Sequence, residues 1–213
     1  MKFKNTNRFQ LIREMFIYGN RLPAPGEIIR KSILKQIGFF NPALLQTQDY
    51  DFHVRTLLKN KIYIYQKPLV KYRQMINGSQ IDNHSNLSIL RQNLELPFVL
   101  DNFLKMDINL FIKVFSQDFK VFGKPTRETI PYFLGKIALK TDDQIRQKWG
   151  YETILNFIKD TKNLKLLNSL YSIQYKDIIS LVNKINFDSK SQKINYKDTK
   201  FRKIIRKFLN KEK

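Results

Sequence analysis

Asp49 and Asp51 are the residues of this chain whose type and spacing most directly suggest chemistry. They stand where a polar loop gives way to a helical pattern, with Thr47 placed to act as the N-cap. Asp49 would lie in the first turn, where the helix dipole and unpaired backbone N–H groups stabilise a negative charge. Such a carboxylate stays ionised at neutral pH and is presented at the end of an element.

Spacing alone also allows a purely structural interpretation of this helix. Asp51 and Arg55 form an i,i+4 pair in the favoured order, with the acid first. Acidic first turns are common, so an acid-capped surface helix with one ion pair explains the pattern without any chemistry. His53 falls four residues after Asp49, and we expect it on the same side of the helix, packed or facing that carboxylate.

Short segments between residues 19 and 95 resemble, in their order and spacing, the acceptor-side half of bacterial glycosyltransferases of family 2. The resemblance covers a little over a third of the chain. Its segments are G-N at 19–20 with Pro25 after it, I-I-R-K at 28–31, I-G-F-F-N at 37–41, Q-D-Y-D-F-H-V-R at 48–55, K-P-L-V-K-Y-R at 67–73, N-G-S at 77–79 and R-Q-N-L-E at 91–95.

The family resemblance implies a nucleotide-sugar-dependent transferase with the A-type α/β fold. It gives Asp49 the role of catalytic base, which would take the proton of an acceptor hydroxyl as that oxygen attacks the anomeric carbon of the donor. A carboxylate suits this role because an inverting displacement needs one base within hydrogen-bond reach of the nucleophile. The residues with implied supporting roles are Asp51, Arg55, Tyr72 and Arg73.

The resemblance also implies a divalent metal, Mg²⁺ or Mn²⁺, held in the complete family enzyme by a D-x-D signature. Residues 49–51 have that form, but the signature normally closes a buried strand. Here the preceding residues 46–48 are polar and a helical pattern follows. We therefore identify no metal ligand in this chain.

The donor side of such an enzyme has no counterpart in the sequence. The family begins with a hydrophobic strand, a nucleotide-binding loop and the metal-binding aspartates, whereas the residues after Met1 are polar. We therefore expect a truncated or split form with little sugar transfer alone, and a separately encoded polypeptide as the donor half. The acceptor would be a cell-surface glycan or a lipid-linked molecule, as in lipopolysaccharide biosynthesis.

Composition sets wider limits. The chain has 213 residues, enough to bury a sizeable core in one domain or two small ones. A hydrophobic content of 42% argues against disorder, and the lack of cysteine excludes disulfides, thiolate zinc sites and a cysteine nucleophile. No signal peptide and no apolar run of membrane-spanning length is visible in the sequence. We expect a cytoplasmic protein.

Two regions are predicted, a glycosyltransferase-like region over residues 1–96 and a helical region over residues 97–213. The expected fold class is α/β, a partial A-type domain with few strands followed by mainly helical chain. The first region has predicted helices at 28–37, ended by Gly38, and at 49–59, strands at 61–65 and 69–72, and a lid-like loop at 77–88.

The second region shows amphipathic patterns that predict helices. They are expected at 98–122, 130–139, 149–158 and 164–185, with a break at 123–126 and a linker at 186–191. Residues 149–151, W-G-Y, suit either a helix-packing corner or a platform on which a sugar stacks.

The last residues form a basic amphipathic pattern. Its apolar positions, at helical spacing, are Phe201, Ile204, Ile205, Phe208 and Leu209. Its other face carries Lys200, Arg202, Lys203, Arg206 and Lys207. Such a helix can lie on an anionic membrane surface, which would place the protein peripherally on the inner membrane. Alternatively, the apolar face docks on the protein's own core while the lysines stay in solvent.

The formal net charge of +21 supports a rival hypothesis, a basic polyanion-binding protein without catalysis. Its ligand would be nucleic acid or a membrane surface. A coding bias toward AT-rich codons would also raise the lysine content without any functional need. No zinc spacing, aromatic nucleic-acid signature or helix-turn-helix pattern is visible, which argues against nucleic acid as the partner.

Overall fold

The computed structural model describes residues 7–65, 67–71, 85–120 and 123–185. Across these ranges every regular element is a helix. The α-helices are α1 (Arg8–Tyr18), α2 (Lys31–Ile37), α3 (Gln48–Lys59), α4 (Asn86–Leu100), α5 (Ile108–Phe115), α6 (Ile130–Ala138), α7 (Gln144–Ile158), α8 (Thr161–Tyr171) and α9 (Tyr175–Ile179). Two 3₁₀ helices, Asp101–Lys105 and Ser180–Lys184, follow α4 and α9 directly.

The prediction of an α/β fold with a partial A-type domain is wrong, because the described ranges contain no β-strand. Residues 61–65 do alternate as expected: Ile62 and Ile64 pack against the core, while Tyr63 and Tyr65 are exposed. A strand also needs a second strand paired with it in a ladder, and the described ranges contain no other strand. The alternation therefore predicted which side chains of this segment are buried, but it did not show that the segment pairs into a sheet.

The other predicted strand, at residues 69–72, is also not observed. Residues 69–71 belong to no regular element and are exposed, and Tyr72 lies outside the described residues. The lid-like loop at 77–88 falls mostly outside them too; its last residues, from Asn86, form the start of α4.

Several predicted helices are present, whereas the runs predicted at 98–122 and 164–185 are each broken into shorter elements. Helix α3 occupies the region predicted around Asp49, and α6 begins at Ile130 as expected. The single helix expected over residues 98–122 is instead interrupted near Met106, whose backbone is extended. A new helix, α5, starts after Asp107, whose carboxylate accepts the backbone N–H of Leu110 at 2.9 Å and so caps it.

Helix α1 lies at the centre of the hydrophobic core. The ring of Phe16 meets Phe103, Phe115 and Trp149 edge-on, with centroid distances of 5.0, 5.3 and 5.8 Å. One cluster of buried apolar residues extends from Leu11 to the end of the described chain. The predicted division between residues 96 and 97 falls inside α4.

Helices α6 and α7 approach closely because a glycine on each faces the other. A Cβ on Gly135 would lie 2.6 Å from the carbonyl oxygen of Gly150, and one on Gly150 would lie 2.7 Å from that of Gly135. Trp149 is buried beside this crossing, and its indole N–H donates to Asp101 at 2.9 Å. Trp149 therefore packs helices together and presents no open face to a sugar.

Polar contacts fix α3 against α1. Arg8, at the start of α1, donates to the carbonyl oxygens of Leu57 and Leu58 at 2.7 and 2.8 Å, near the end of α3. At the other end of α3, the Tyr50 hydroxyl donates to the carbonyl oxygen of Met15. Burial raises the pKa of Tyr50 to about 12, so this hydroxyl remains a donor at neutral pH. The start of α3 is thereby held beside the end of α1.

Candidate catalytic site

Asp49 is the second residue of α3 and is half-buried. One carboxylate oxygen accepts the backbone N–H of Tyr50 at 2.7 Å, and the other accepts the side-chain amide of Asn20 at 3.0 Å. The carboxylate thus has a fixed orientation and retains access to solvent. These are the properties required of a group that accepts a proton from a bound hydroxyl.

Asn20 reaches Asp49 because α1 ends immediately before it. Gly19 ends the helix with a φ of 98°, a backbone conformation that residues with a Cβ atom rarely adopt. The Asn20 oxygen accepts the backbone N–H of Leu22 at 3.2 Å and also lies 3.1 Å from Nδ1 of His53. Asn20 therefore joins the chain after α1 to two side chains of α3.

His53 lies on the same side of α3 as Asp49 but does not meet it directly. Its Nδ1 faces Asn20, and its Nε2 pairs with the carboxylate of Glu27. A hydrogen-bonded row results, running from Asp49 through Asn20 and His53 to Glu27. The sequence indicated the side of the helix for His53 correctly, but the intervening amide could not be predicted.

Asp51 faces away from Asp49 and is buried in a separate network. Arg55 donates to it from Nε at 2.8 Å, and the amide of Asn102 donates to its other oxygen, also at 2.8 Å. The guanidinium of Arg55 continues to the carbonyl oxygens of Ile37 and Phe39, at 2.6 and 2.8 Å. This network connects α3 with the turn after α2 and with the 3₁₀ helix that follows α4.

The loop that enters α3 is held by Glu95 of α4. The Glu95 carboxylate accepts the backbone N–H groups of Leu45, Gln46 and Thr47 at 3.0, 2.8 and 2.9 Å. The Thr47 hydroxyl donates to the same carboxylate at 3.0 Å, so Thr47 occupies the N-cap position without capping through its side chain. Burial raises the pKa of Glu95, but these hydrogen bonds outweigh it and hold the pKa below its usual value.

Three members of this site had no role assigned from the sequence. Asn20 and Glu95 belong to segments of the family resemblance, but nothing in their local pattern indicated a partner. Glu27 belongs to none of those segments. Their partners lie 29, 50 and 26 residues away along the chain, beyond the reach of helical or strand periodicity.

Other candidate residues lie outside the described residues. Tyr72 and Arg73 are among them, as are the basic residues of the tail, Lys200, Arg202, Lys203, Arg206 and Lys207. Within the described ranges, no group of three or more His, Asp or Glu side chains is placed to hold a metal ion. The divalent metal stays an expectation attached to the donor side.

Asp49 is half-buried and lines neither of two grooves of about 310 and 420 Å³ found in the described chain. The larger groove begins one turn before Asn20, at Ile17 and Tyr18, and continues along residues 140–143 and Arg146.

Comparisons with known proteins give no assignment. No protein-family model, curated protein or solved structure matches this chain. Within the described ranges, no helix combines the length and the apolar character needed to cross a bilayer.

Proposed function

We propose that Asp49 is the general base of a sugar transfer. In this step Asp49 takes the proton of an acceptor hydroxyl, and the hydroxyl oxygen bonds to the anomeric carbon of a nucleotide-sugar donor. The bond between that carbon and the phosphate oxygen breaks, and the nucleotide leaves with the electron pair. The observation that carries the proposal is the half-buried, solvent-accessible carboxylate of Asp49, oriented by Asn20 at the start of a firmly anchored helix.

The placement of the family-like segments supports this proposal. Asn20, Asp49 and Glu95 come from three separate segments of the resemblance, and the structure brings them to the same end of α3. Asp51 and Arg55, from the central segment, pair with each other and anchor that helix. Residues gathered from distant segments at the start of one helix favour a site over an isolated surface helix.

We also propose that a separately encoded polypeptide binds the donor and its divalent metal. Helix α4 offers a surface for such a partner, because its apolar side chains at positions 87, 90, 94 and 98 share one face. Leu87, Leu90, Leu94 and Phe98 are 64, 52, 64 and 64% exposed. Contiguous exposed apolar side chains commonly mark protein contacts. The complex would act in the cytoplasm on a glycan or lipid-linked acceptor at the inner membrane.

The decisive experiment replaces Asp49 by Asn in the cells that make this protein, where any partner is present. Permeabilised cells are supplied with radiolabelled UDP-glucose, UDP-galactose or UDP-N-acetylglucosamine, and label in the envelope fraction is measured. Asn keeps the shape and one acceptor oxygen but is a far weaker base, so incorporation should fall at least ~100-fold.

Asp160→Asn is the matched control for this experiment. Asp160 is also a carboxylate at a helix start, where it accepts the backbone N–H of Lys162 at 2.9 Å. Asn is an equally good N-cap, so incorporation should not change. Normal incorporation by Asp49→Asn, at an unchanged protein level, would overturn the role of base. Turnover by the purified chain alone would instead overturn the need for a partner.

The excess of positive charge favours a second candidate function, binding to a polyanion without catalysis. The chain holds 39 Lys and Arg residues against 18 Asp and Glu residues. A gel shift with duplex DNA at low salt tests the nucleic-acid form of this proposal, because phosphate contacts are strongest there. The absence of any retained complex under those conditions would reject it.

A further inference from the structure

His53 is a buried histidine whose two ring nitrogens both face oxygen atoms. Its side chain is only 4% exposed. Nδ1 lies 3.1 Å from the side-chain oxygen of Asn20, and Nε2 pairs with the carboxylate of Glu27. A neutral imidazole has one donor and one acceptor nitrogen, so the partners decide where the proton lies.

The orientation of the Asn20 amide is determined by two other contacts. Its oxygen accepts the backbone N–H of Leu22, and its nitrogen donates to the carboxylate of Asp49. Reversing the amide would place its nitrogen against an N–H group and its oxygen against a carboxylate. The group facing His53 is therefore an acceptor, and Nδ1 of His53 must carry a proton.

Glu27 complements this arrangement at the other side of the ring. The Glu27 carboxylate is a second acceptor, beside Nε2. A ring with a single proton could satisfy only one of the two acceptors, so Nδ1 donates to Asn20 while Nε2 and the carboxylate share a second proton. Glu27 thereby holds the ring with Nδ1 directed at the amide oxygen.

We propose that His53 is a positioning residue for Asp49 and acts through the amide of Asn20. The inference rests on the proposed role of Asp49 as a base. By donating to the Asn20 oxygen, His53 keeps the Asn20 nitrogen directed at the Asp49 carboxylate. The Asp49 carboxylate is then presented to its substrate in one orientation. The side chain that orients it, Asn20, comes from the chain after α1 and not from α3.

The first test measures which ring nitrogen of His53 carries a proton, and it needs no assay of sugar transfer. The chain has two histidines, so the long-range ¹H–¹⁵N spectrum of the purified protein holds two imidazole systems, and His53→Asn identifies one of them by its loss. We expect Nδ1 of His53 to be protonated at neutral pH. A ring with a bare Nδ1 and a protonated Nε2 would overturn the proposal.

The second test compares two replacements that each keep one ring nitrogen. The amide nitrogen of Asn occupies nearly the place of Nδ1, and that of Gln nearly the place of Nε2. His53→Asn should keep the side-chain amide signals of Asn20 and lower sugar transfer less than ~3-fold. His53→Gln should shift those signals and lower transfer ~10-fold or more, since misplacing a catalytic group is costly.

A purely structural role predicts a different outcome, because both replacements remove the same ring from the same buried position. Equal effects of the two variants on the Asn20 signals and on transfer would overturn the proposal. If His53→Gln does not fold, the imidazole spectrum of the wild-type protein still decides. If instead Asp49→Asn leaves transfer intact, the base role fails while the spectrum still reports how His53 holds Asn20.

Discussion

At the scale of single residues, the helix separates two neighbouring acids into different tasks. Residues two positions apart project about 200° apart around an α-helix, so Asp49 and Asp51 cannot converge on one ligand. Asp49 is directed at Asn20 and solvent, whereas Asp51 is buried against Arg55 and Asn102. A D-x-D sequence on a helix is therefore not equivalent to the same letters at the end of a strand.

Asp51→Ala should destabilise the fold far more than the loss of an ordinary surface acid. It leaves Arg55 and the Asn102 amide without their buried acceptor, which costs about 2 to 3 kcal/mol. The free energy of unfolding measured in urea checks this. Glu152→Ala is the matched control, because Lys148 and Glu152 form an i,i+4 pair at 3.8 Å whose side chains are more than half exposed. The control should lose less than about 0.5 kcal/mol, and equal losses would contradict the distinction.

Residue types alone identified only the local part of the site. The helical spacing around Asp49 and the i,i+4 pair of Asp51 and Arg55 were predictable, because both depend on positions a few residues apart. Asn20 and Glu95 were not, because their contacts depend on how α1 and α4 pack against α3. Such long-range pairing has no signature in a single local pattern.

At the scale of elements, α4 controls the loop that leads into α3. Glu95 accepts three backbone N–H groups that precede the helix. These hydrogen bonds, which we call the Glu95 clamp, need an ionised carboxylate, since only that form accepts at both oxygens in this way. The position of Asp49 therefore depends on the charge of a residue on another helix.

Glu95→Gln should reveal this dependence through pH. The pKa of Glu95 is lower in the folded protein than the ordinary pKa of a glutamate, so the unfolded chain takes up the proton first as the pH falls. The stabilisation is therefore complete above that value and is lost as the pH drops through the folded pKa. Above about pH 5 the variant should be about 1 kcal/mol less stable than the wild type, and this difference should shrink in acid. A difference that is constant with pH would contradict the clamp.

The crossing of α6 and α7 yields a prediction of a different kind. Gly135→Ala places a methyl group 2.5 Å from a side-chain carbon of Ile154 and 2.6 Å from the carbonyl oxygen of Gly150, which cannot yield without moving a helix. Alanine improves helix propensity by about 1 kcal/mol, but overpacking should dominate and leave a net loss of about 2 kcal/mol. Thermal unfolding measures it. Asn156→Ala, at an exposed position of α7, gains propensity without the clash and should not destabilise the protein. Unchanged stability of Gly135→Ala would refute the close contact.

Elements were predicted well where a single apolar face packs against the core. They were predicted poorly where the secondary structure depends on pairing with another segment. Helices α3 and α6 follow directly from their own periodicity. The segment at 61–65 has the alternation of a strand, but a strand is a property of a pair. The break near Met106 could have been found, because Asp107 ahead of the apolar run of α5 is an N-cap signal.

At the scale of the whole molecule, the relevant properties are the net charge and the exposed surface around the proposed base. A net charge of +21 would favour contact with anionic surfaces, and the proposed base is accessible to solvent in part. An acceptor anchored in a lipid layer would bring its own covering surface to such a site. Membrane attachment and catalysis are thus linked in this proposal, although they depend on different parts of the chain.

The tail provides the means to test this link. Five of its basic residues can be changed to Gln together, which removes charge but keeps the apolar face; they are Lys200, Arg202, Lys203, Arg206 and Lys207. A basic residue near an anionic surface contributes about 1 kcal/mol, so flotation with phosphatidylglycerol vesicles should weaken by at least ~10-fold in the variant. Added salt should weaken the wild-type interaction in the same direction, because exposed charges are screened. If the tail instead docks on the protein's own core, the variant should float with the anionic vesicles to the same extent as the wild type. That result would show that membrane binding by the tail is not part of the mechanism, and the acceptor would then have to reach Asp49 from solution.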